Sequence, residues 1–261
     1  MILRRFLIVN LLDWLLFAFS CDKINKMVYD IAELRIKINN KFEYTTKFCH
    51  KYLSENQDAP CDIEVTVTEK EFEVEKEASK GFSDGYIENL CIYRKICKKA
   101  LAFDRFLMHC AVLEYKGNCY AFLGRSGTGK STHTGLWLKN LPEAKILNGD
   151  KPILGVKDGV FTVYGTPWMG KERYGYNGKG ILKAMCFLEQ AKVNEITKID
   201  PSDVSDRLFN QLLMPEDYLG VVKTLEIADE LVRNVPSYLL KCDISDEAFK
   251  TSFNCLTGEV K

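Results

Sequence analysis

Histidine is scarce in this chain, with three residues in 261, and neither sign of charge is in excess. No C-x-x-C pair occurs among its ten cysteines, and no apolar run is long enough to cross a bilayer. Each shortage excludes a class. Cysteines at 21, 49, 61, 91, 97, 110, 119, 186, 242 and 255 form no Cys/His cluster of zinc-ligand spacing and no disulfide framework, which points to a reducing, cytoplasmic setting. With 36 Lys+Arg against 36 Asp+Glu, the formal charge is zero, and there is no electrostatic footprint for nucleic acid or an anionic membrane. Neither is expected as a partner.

The longest apolar stretch, Phe6 to Phe19, follows Arg4 and Arg5 and ends at Ser20-Cys21, in the outline of a secretory or lipoprotein signal. Asn10 and Asp13 interrupt it, and its 14 residues fall short of the roughly 20 that a membrane span needs. Residues 1–26 read as an N-terminal extension, either a misread start upstream of Met27 or a signal-like segment.

What is present is enough apolar material, 46% of positions, for one large domain or two small ones. Residues 27–104 read as a small α/β unit. It has a strand over Val28 to Ile38, helical spacing from Phe42 to Leu53, and a period-two strand from Cys61 to Val67. An acidic helix or loop, Glu69 to Glu77, and a helix carrying Tyr86 to Cys97 follow. Residues 105–261 read differently. Phe106 to Tyr115 is expected as one strand containing His109, Lys116-Gly117-Asn118 as a tight turn and Cys119 to Leu123 as the next strand. That hairpin leads into Gly124-Arg125-Ser126-Gly127-Thr128-Gly129-Lys130-Ser131-Thr132 and a helix that stops at Pro142.

Gly124 to Ser131 satisfies G-x-x-x-x-G-K-[ST], between a strand and a helix as the motif requires. Its glycines let backbone N–H groups point inward, and the helix N-terminus adds positive dipole, an arrangement that suits the polyphosphate of ATP. Lys130 is expected on the β- and γ-phosphates and Ser131 on Mg2+. Lys145 to Asp150 reads as a short strand ending in a carboxylate, which makes Asp150 the candidate metal ligand or general base. Further strands are expected at Val160 to Tyr164 and Lys183 to Leu188. Between them Trp168, Lys171, Glu172 and Arg173 are candidates for a lid or acceptor loop. Past Asn194 the pattern reads as support: a strand from Glu195 to Ile199 and a helix from Ser202 through Leu212 and Leu213. A helix with Leu225 and Leu231, a strand Tyr238 to Cys242 and a final helix N-capped by Ser245 complete it.

The phosphate loop, His109 one hairpin upstream and Asn148-Gly149-Asp150 downstream resemble the nucleotide-binding core shared by HPr kinase/phosphorylase and ATP-dependent phosphoenolpyruvate carboxykinase. Gly165 to Trp168, Lys183 to Glu189 and Phe209 to Leu213 resemble the small bacterial HPr-kinase-like proteins. The resemblance implies an α/β fold with a mixed-sheet P-loop core, ATP and Mg2+ as cofactors, and a place for His109 in the catalytic site. It leaves a homo-oligomer open. Where those families carry two adjacent aspartates, this chain has Asp150-Lys151, and its length argues against a carboxykinase. The expected function is a cytoplasmic ATP-dependent kinase acting on a hydroxyl of a protein or a small molecule. The alternative is an accessory protein that binds or hydrolyses ATP without transfer.

Overall fold

The computed structural model describes residues 24–261, so the apolar stretch from Phe6 to Phe19 lies outside the described residues. The chain is an α/β protein built on two sheets. The first begins with a hairpin of β1 (Asn25–Ile31) and β2 (Leu34–Asn40), where a single strand is expected from the sequence. Ala32 and Glu33 form the turn with φ of 55° and 60°, the left-handed pair that a tight two-residue hairpin demands. Neither is the usual Asn or Gly, so the reversal leaves little trace in the sequence. Asn25 and Lys26 already pair with Asn40 and Asn39, which means that the strand starts ahead of Met27.

β3 (Ile63–Thr66) completes this sheet in parallel with β2. Helices α1 (Glu43–Phe48), α2 (Glu69–Ala78) and α3 (Asp84–Ala100) accompany it. The helical spacing from Phe42 breaks after Phe48 into a short 3-10 turn, His50–Tyr52. α2 begins on a capping box, in which Thr68 accepts from the Glu71 N–H and the Glu71 carboxylate accepts from the Thr68 N–H.

Nine strands form the larger, mixed sheet. Phe106 to Tyr115 is not one strand. β4 (Arg105–Leu107) pairs with β8 (Ile153–Lys157) at one edge, while β5 (Ala111–Tyr115) pairs with β6 (Asn118–Leu123) and β7 (Lys145–Asn148) near the other. His109 therefore lies in the break between two strands rather than within one. β9 (Val160–Tyr164) follows β8 through an Asp158-Gly159 turn. β10 (Lys179–Gln190) is the longest strand. It runs antiparallel to β9 at its start, parallel to β6 in its middle, and parallel to β12 (Ser237–Cys242) at its end. β11 (Glu195–Lys198) borders β12.

Helices cover both faces of this sheet. α4 (Lys130–Asn140) and α7 (Asp246–Thr257) enclose Trp137, Phe122, Phe249 and Phe253, and α5 (Pro201–Phe209) and α6 (Tyr218–Asn234) bury Val204, Leu208, Ile227 and Leu231 on the other face. β6 feeds both layers by alternation, with Tyr120 and Phe122 on one side and Ala121 and Leu123 on the other. α5 ends at Phe209, so Leu212 and Leu213 lie beyond it. Ser245 stands at the α7 N-cap, but its hydroxyl bonds Asp243 instead of the helix. Among the described residues no helix is long and apolar enough to cross a membrane.

The core of the first sheet does not stop at that sheet. It takes in Leu107, Ile153 and Tyr164 from the larger one and Trp168 and Met169 from the loop after β9, which fixes the two units against each other. Trp168 packs 4.8 Å from Tyr93 and 6.3 Å from Phe48, between ring centroids.

Candidate functional site

Between β6 and α4 the backbone turns through Gly124, Gly127 and Gly129, whose φ values of 150°, 85° and 100° disfavour a side chain. A Cβ on Gly124 would also stand 2.6 Å from Thr128 Oγ1. Thr128 ties the loop to itself by donating from its amide and its hydroxyl to the Arg125 carbonyl, and Gln190 Nε2 donates to the Gly127 carbonyl from outside. Lys130 lies folded over this loop. Its Nζ donates to the Gly124 carbonyl at 2.7 Å and to that of Arg125 at 3.3 Å. Burial pushes the Lys130 ammonium below its ordinary pKa, against the opposing pull of Asp150. Ser131 and Thr132 are exposed at the start of α4.

Asp150 comes two residues after β7, on a turn set by Asn148. The buried Asn148 side chain accepts from the amides of Asp150 and Lys151 at 2.9 and 2.8 Å, and donates to Thr166 Oγ1 at 3.0 Å. Thr166 in turn donates to the Lys151 carbonyl. This fixes where the carboxylate points. His109 Nε2 stands 3.0 Å from Asp150 Oδ1, and Lys151 Nζ is 3.8 Å from Oδ2. Burial pushes the Asp150 carboxyl up, but the His109 hydrogen bond with the charges of Lys151 and Lys130 outweighs it and holds the group below its ordinary range.

The loop and the acid face one cleft of about 770 Å³. His109, Lys130, Ser131, Thr132 and Asp150 line it, as do Ser126, Gly127 and Gly129. So does the segment from Trp168 to Arg173, which crosses Asp150 closely: a Cβ on Gly170 would stand 3.0 Å from Asp150 Cβ. Within that segment the candidates part. Trp168 is 4% exposed and packs into the core at the wall of the cleft. Lys171, Glu172 and Arg173 are exposed. Arg173, at a left-handed φ of 53°, lies over the Phe48 ring at 5.6 Å.

The first unit contributes a wall that sequence reasoning missed. Tyr44 and Phe48 of α1 and Tyr86, Asn89 and Leu90 of α3 line the same cleft. Their four-residue spacing reads as an ordinary packing face, so nothing in the sequence marks them. Asn148 and Thr166 stand in segments that carry the resemblance, but their hydrogen bond to each other, 18 residues apart, is not readable from the sequence.

Among the described residues no three His, Cys, Asp or Glu side chains cluster to hold a metal by themselves. Ser131 and Asp150 fit the limited share that a protein gives to Mg2+ on a nucleotide, one hydroxyl and one carboxylate, with phosphate and water completing the shell.

No family model matches this sequence, and no curated protein matches it. Among solved structures, the HPr(Ser) kinase/phosphatase from Coxiella burnetii is similar at 10% identity and a TM-score of 0.32, over 58% of this chain and 97% of that one.

Proposed function

We propose that this protein is an ATP- and Mg2+-dependent phosphotransferase of the HPr kinase-like class, acting on a hydroxyl acceptor. The observation that carries this reading is the meeting of Lys130 and Ser131 with the His109–Asp150 pair on one cleft.

With ATP in the loop, backbone N–H groups of Gly124 to Lys130 take the phosphates, and Lys130 exchanges its two carbonyl partners for phosphate oxygens. Ser131 and Asp150 would hold Mg2+, which would supply positive charge beside the transferring group. Asp150, ionised and held below the usual carboxylate range, is a weak base and a good anchor. As a carboxylate it only accepts, so the proton between the pair sits on His109 Nε2, which leaves Nδ1 as the ring's acceptor. The acceptor hydroxyl gives its proton to Nδ1 while its oxygen bonds the γ-phosphorus, the bond to the bridging β-phosphate oxygen breaks, and ADP departs. Lys171 and Arg173 supply further positive charge at the cleft mouth.

The test is incubation with γ-labelled ATP and a cell lysate, with and without Mg2+. Label on a macromolecule or a metabolite supports transfer. Label on inorganic phosphate alone overturns transfer in favour of an ATP-hydrolysing accessory protein.

A further inference from the structure

Two half-buried ammonium groups face the cleft, Lys130 from the phosphate loop and Lys151 from the turn beside Asp150. The other Lys and Arg residues in its wall, Lys171 and Arg173, are exposed. Lys151 Nζ stands 3.8 Å from Asp150 Oδ2 and 5.3 Å from the centroid of the Tyr93 ring, and its side chain is 35% exposed. An ion pair at 3.8 Å is too long for a hydrogen bond, and a ring attracts an ammonium chiefly as a charge. Neither contact therefore engages the three N–H donors of Lys151.

The backbone that carries this ammonium is held on every side. The Lys151 amide donates to Asn148 Oδ1 at 2.8 Å, its carbonyl accepts from Thr166 Oγ1 at 2.7 Å, and Pro152 after it disfavours a helical conformation. The Cys110 amide donates to the Asp150 carbonyl at 3.1 Å and the Met108 amide to the Pro152 carbonyl at 3.5 Å. These two bonds bracket one antiparallel pair and set Lys151 directly opposite His109. Both side chains line the cleft, with His109 Nε2 on Asp150 Oδ1 and Lys151 Nζ facing Oδ2. Proposed base, acid and cation thus converge from adjoining positions. A lysine that only balances a neighbouring carboxylate needs no such backbone.

On the reading that the cleft binds ATP with its γ-phosphate turned to Asp150, we propose that Lys151 is a second phosphate-binding ammonium, one that touches the γ-phosphate and not the β-phosphate. Lys130 reaches the nucleotide from the loop and Lys151 from the acid's side, so the transferring group lies between two cations. Negative charge is spread over its equatorial oxygens during transfer, and Lys151 holds them there by charge-assisted hydrogen bonds. Lys151 takes no proton, and the bonds formed and broken are those of the transfer step itself. Because it touches the γ-phosphate alone, Lys151 is also the residue that tells a nucleoside triphosphate from a diphosphate.

The experiment is calorimetric titration of the full chain with ATP and with ADP, each with Mg2+, in the parent and in Lys151→Met, Lys151→Gln and Lys151→Arg. One charge-assisted contact corresponds to about tenfold or more in affinity, so the parent should prefer ATP over ADP by at least that factor. In Lys151→Met and Lys151→Gln the preference should fall about tenfold while ADP affinity stays within about twofold of the parent's. Lys151→Arg, which restores the charge, should keep most of it. The same fall on adding Lys151→Met to Asp150→Asn separates contact with phosphate from neutralisation of the acid. Melting temperatures report the fold, and a side chain 35% exposed can be replaced without unfolding the chain. A preference that changes by less than about threefold in the folded variants overturns the proposal, as does a fall that vanishes in the Asp150→Asn background or a parent that binds both nucleotides equally. In those three cases the phosphotransferase reading stands. If the parent binds neither nucleotide, both fall.

Discussion

His109 Nε2 lies 3.0 Å from Asp150 Oδ1, and the two residues reach each other from separate breaks in the sheet, one between β4 and β5 and one just past β7. Long-range backbone bonds hold both: the His109 amide donates to the Gln211 carbonyl, and the Cys110 amide donates to that of Asp150. The pair is thus built by tertiary structure and aimed at the phosphate loop by it.

Asp150→Asn keeps the shape and removes the charge. ATP binding should depend less on magnesium, because the carboxylate that would help hold the ion has lost its charge. Because its neighbours hold the Asp150 carboxyl below its ordinary range, the carboxylate stays charged through mild acid. His109→Asn, which removes the proposed base, should keep ATP–Mg2+ binding and lose about 10²–10⁴ in turnover. Calorimetric titration of ATP across magnesium concentrations, with rates of both variants, checks both. An Asp150→Asn protein unchanged in binding and rate removes the residue from the site.

Lys130→Ala removes an ammonium whose hydrogen bonds among the described residues go to two loop carbonyls. A charge-assisted contact with phosphate contributes about 1.5–3 kcal/mol, so ATP affinity should drop roughly tenfold or more while the melting temperature stays close to the parent's. Equal affinity in a folded variant sinks the phosphate-loop assignment.

How much of this was legible follows from how local each feature is. The glycine-rich loop stands in eight consecutive residues, Gly124 to Ser131, between a strand and a helix that the sequence also shows. The break at His109 was hidden because Phe106 to Leu113 remains apolar throughout, and what divides it is a change of partners from β8 to β6 and β7. β8 went unread for a related reason: Pro152 and Gly155 bracket an apolar run of two, Ile153 and Leu154. Trp168 misled in the other direction. A loop rich in glycine and charge predicts exposure, whereas its neighbours in space are Tyr93 and Phe48 of the other unit.

Trp168 should therefore behave as the joint between the units. Trp168→Ala should destabilise the fold by about 3–5 kcal/mol, the range for a buried tryptophan. Trp168→Phe should cost far less, since the indole N–H it discards makes no hydrogen bond among the described residues. Urea titrations of both variants give the comparison. Similar, small costs for the two would mean that the units are not joined through this ring.

His133 gives the protein a stability dependence on pH that is independent of ATP. It sits on α4, one turn past the phosphate loop, 2% exposed, where its Nε2 meets Ser252 Oγ at 2.9 Å and Trp137 Nε1 donates to the same hydroxyl. Its Nδ1 is buried with no hydrogen-bond partner among the described residues. Burial lowers the His133 pKa from 6.5 to about 4, so the unfolded chain binds a proton there at pH values where the folded chain does not. Linkage fixes the sign: this residue destabilises the fold as pH falls from 6.5 towards 4, with no further change below. Between pH 7.5 and 5.0 the loss from this one group is about 2 kcal/mol. His133→Gln, which does not titrate, should lower stability at pH 7.5 through lost packing, yet lose about 2 kcal/mol less than the parent on acidification. Urea unfolding of both proteins at the two pH values measures the difference, and equal losses would mean that His133 titrates alike in the folded and unfolded chains.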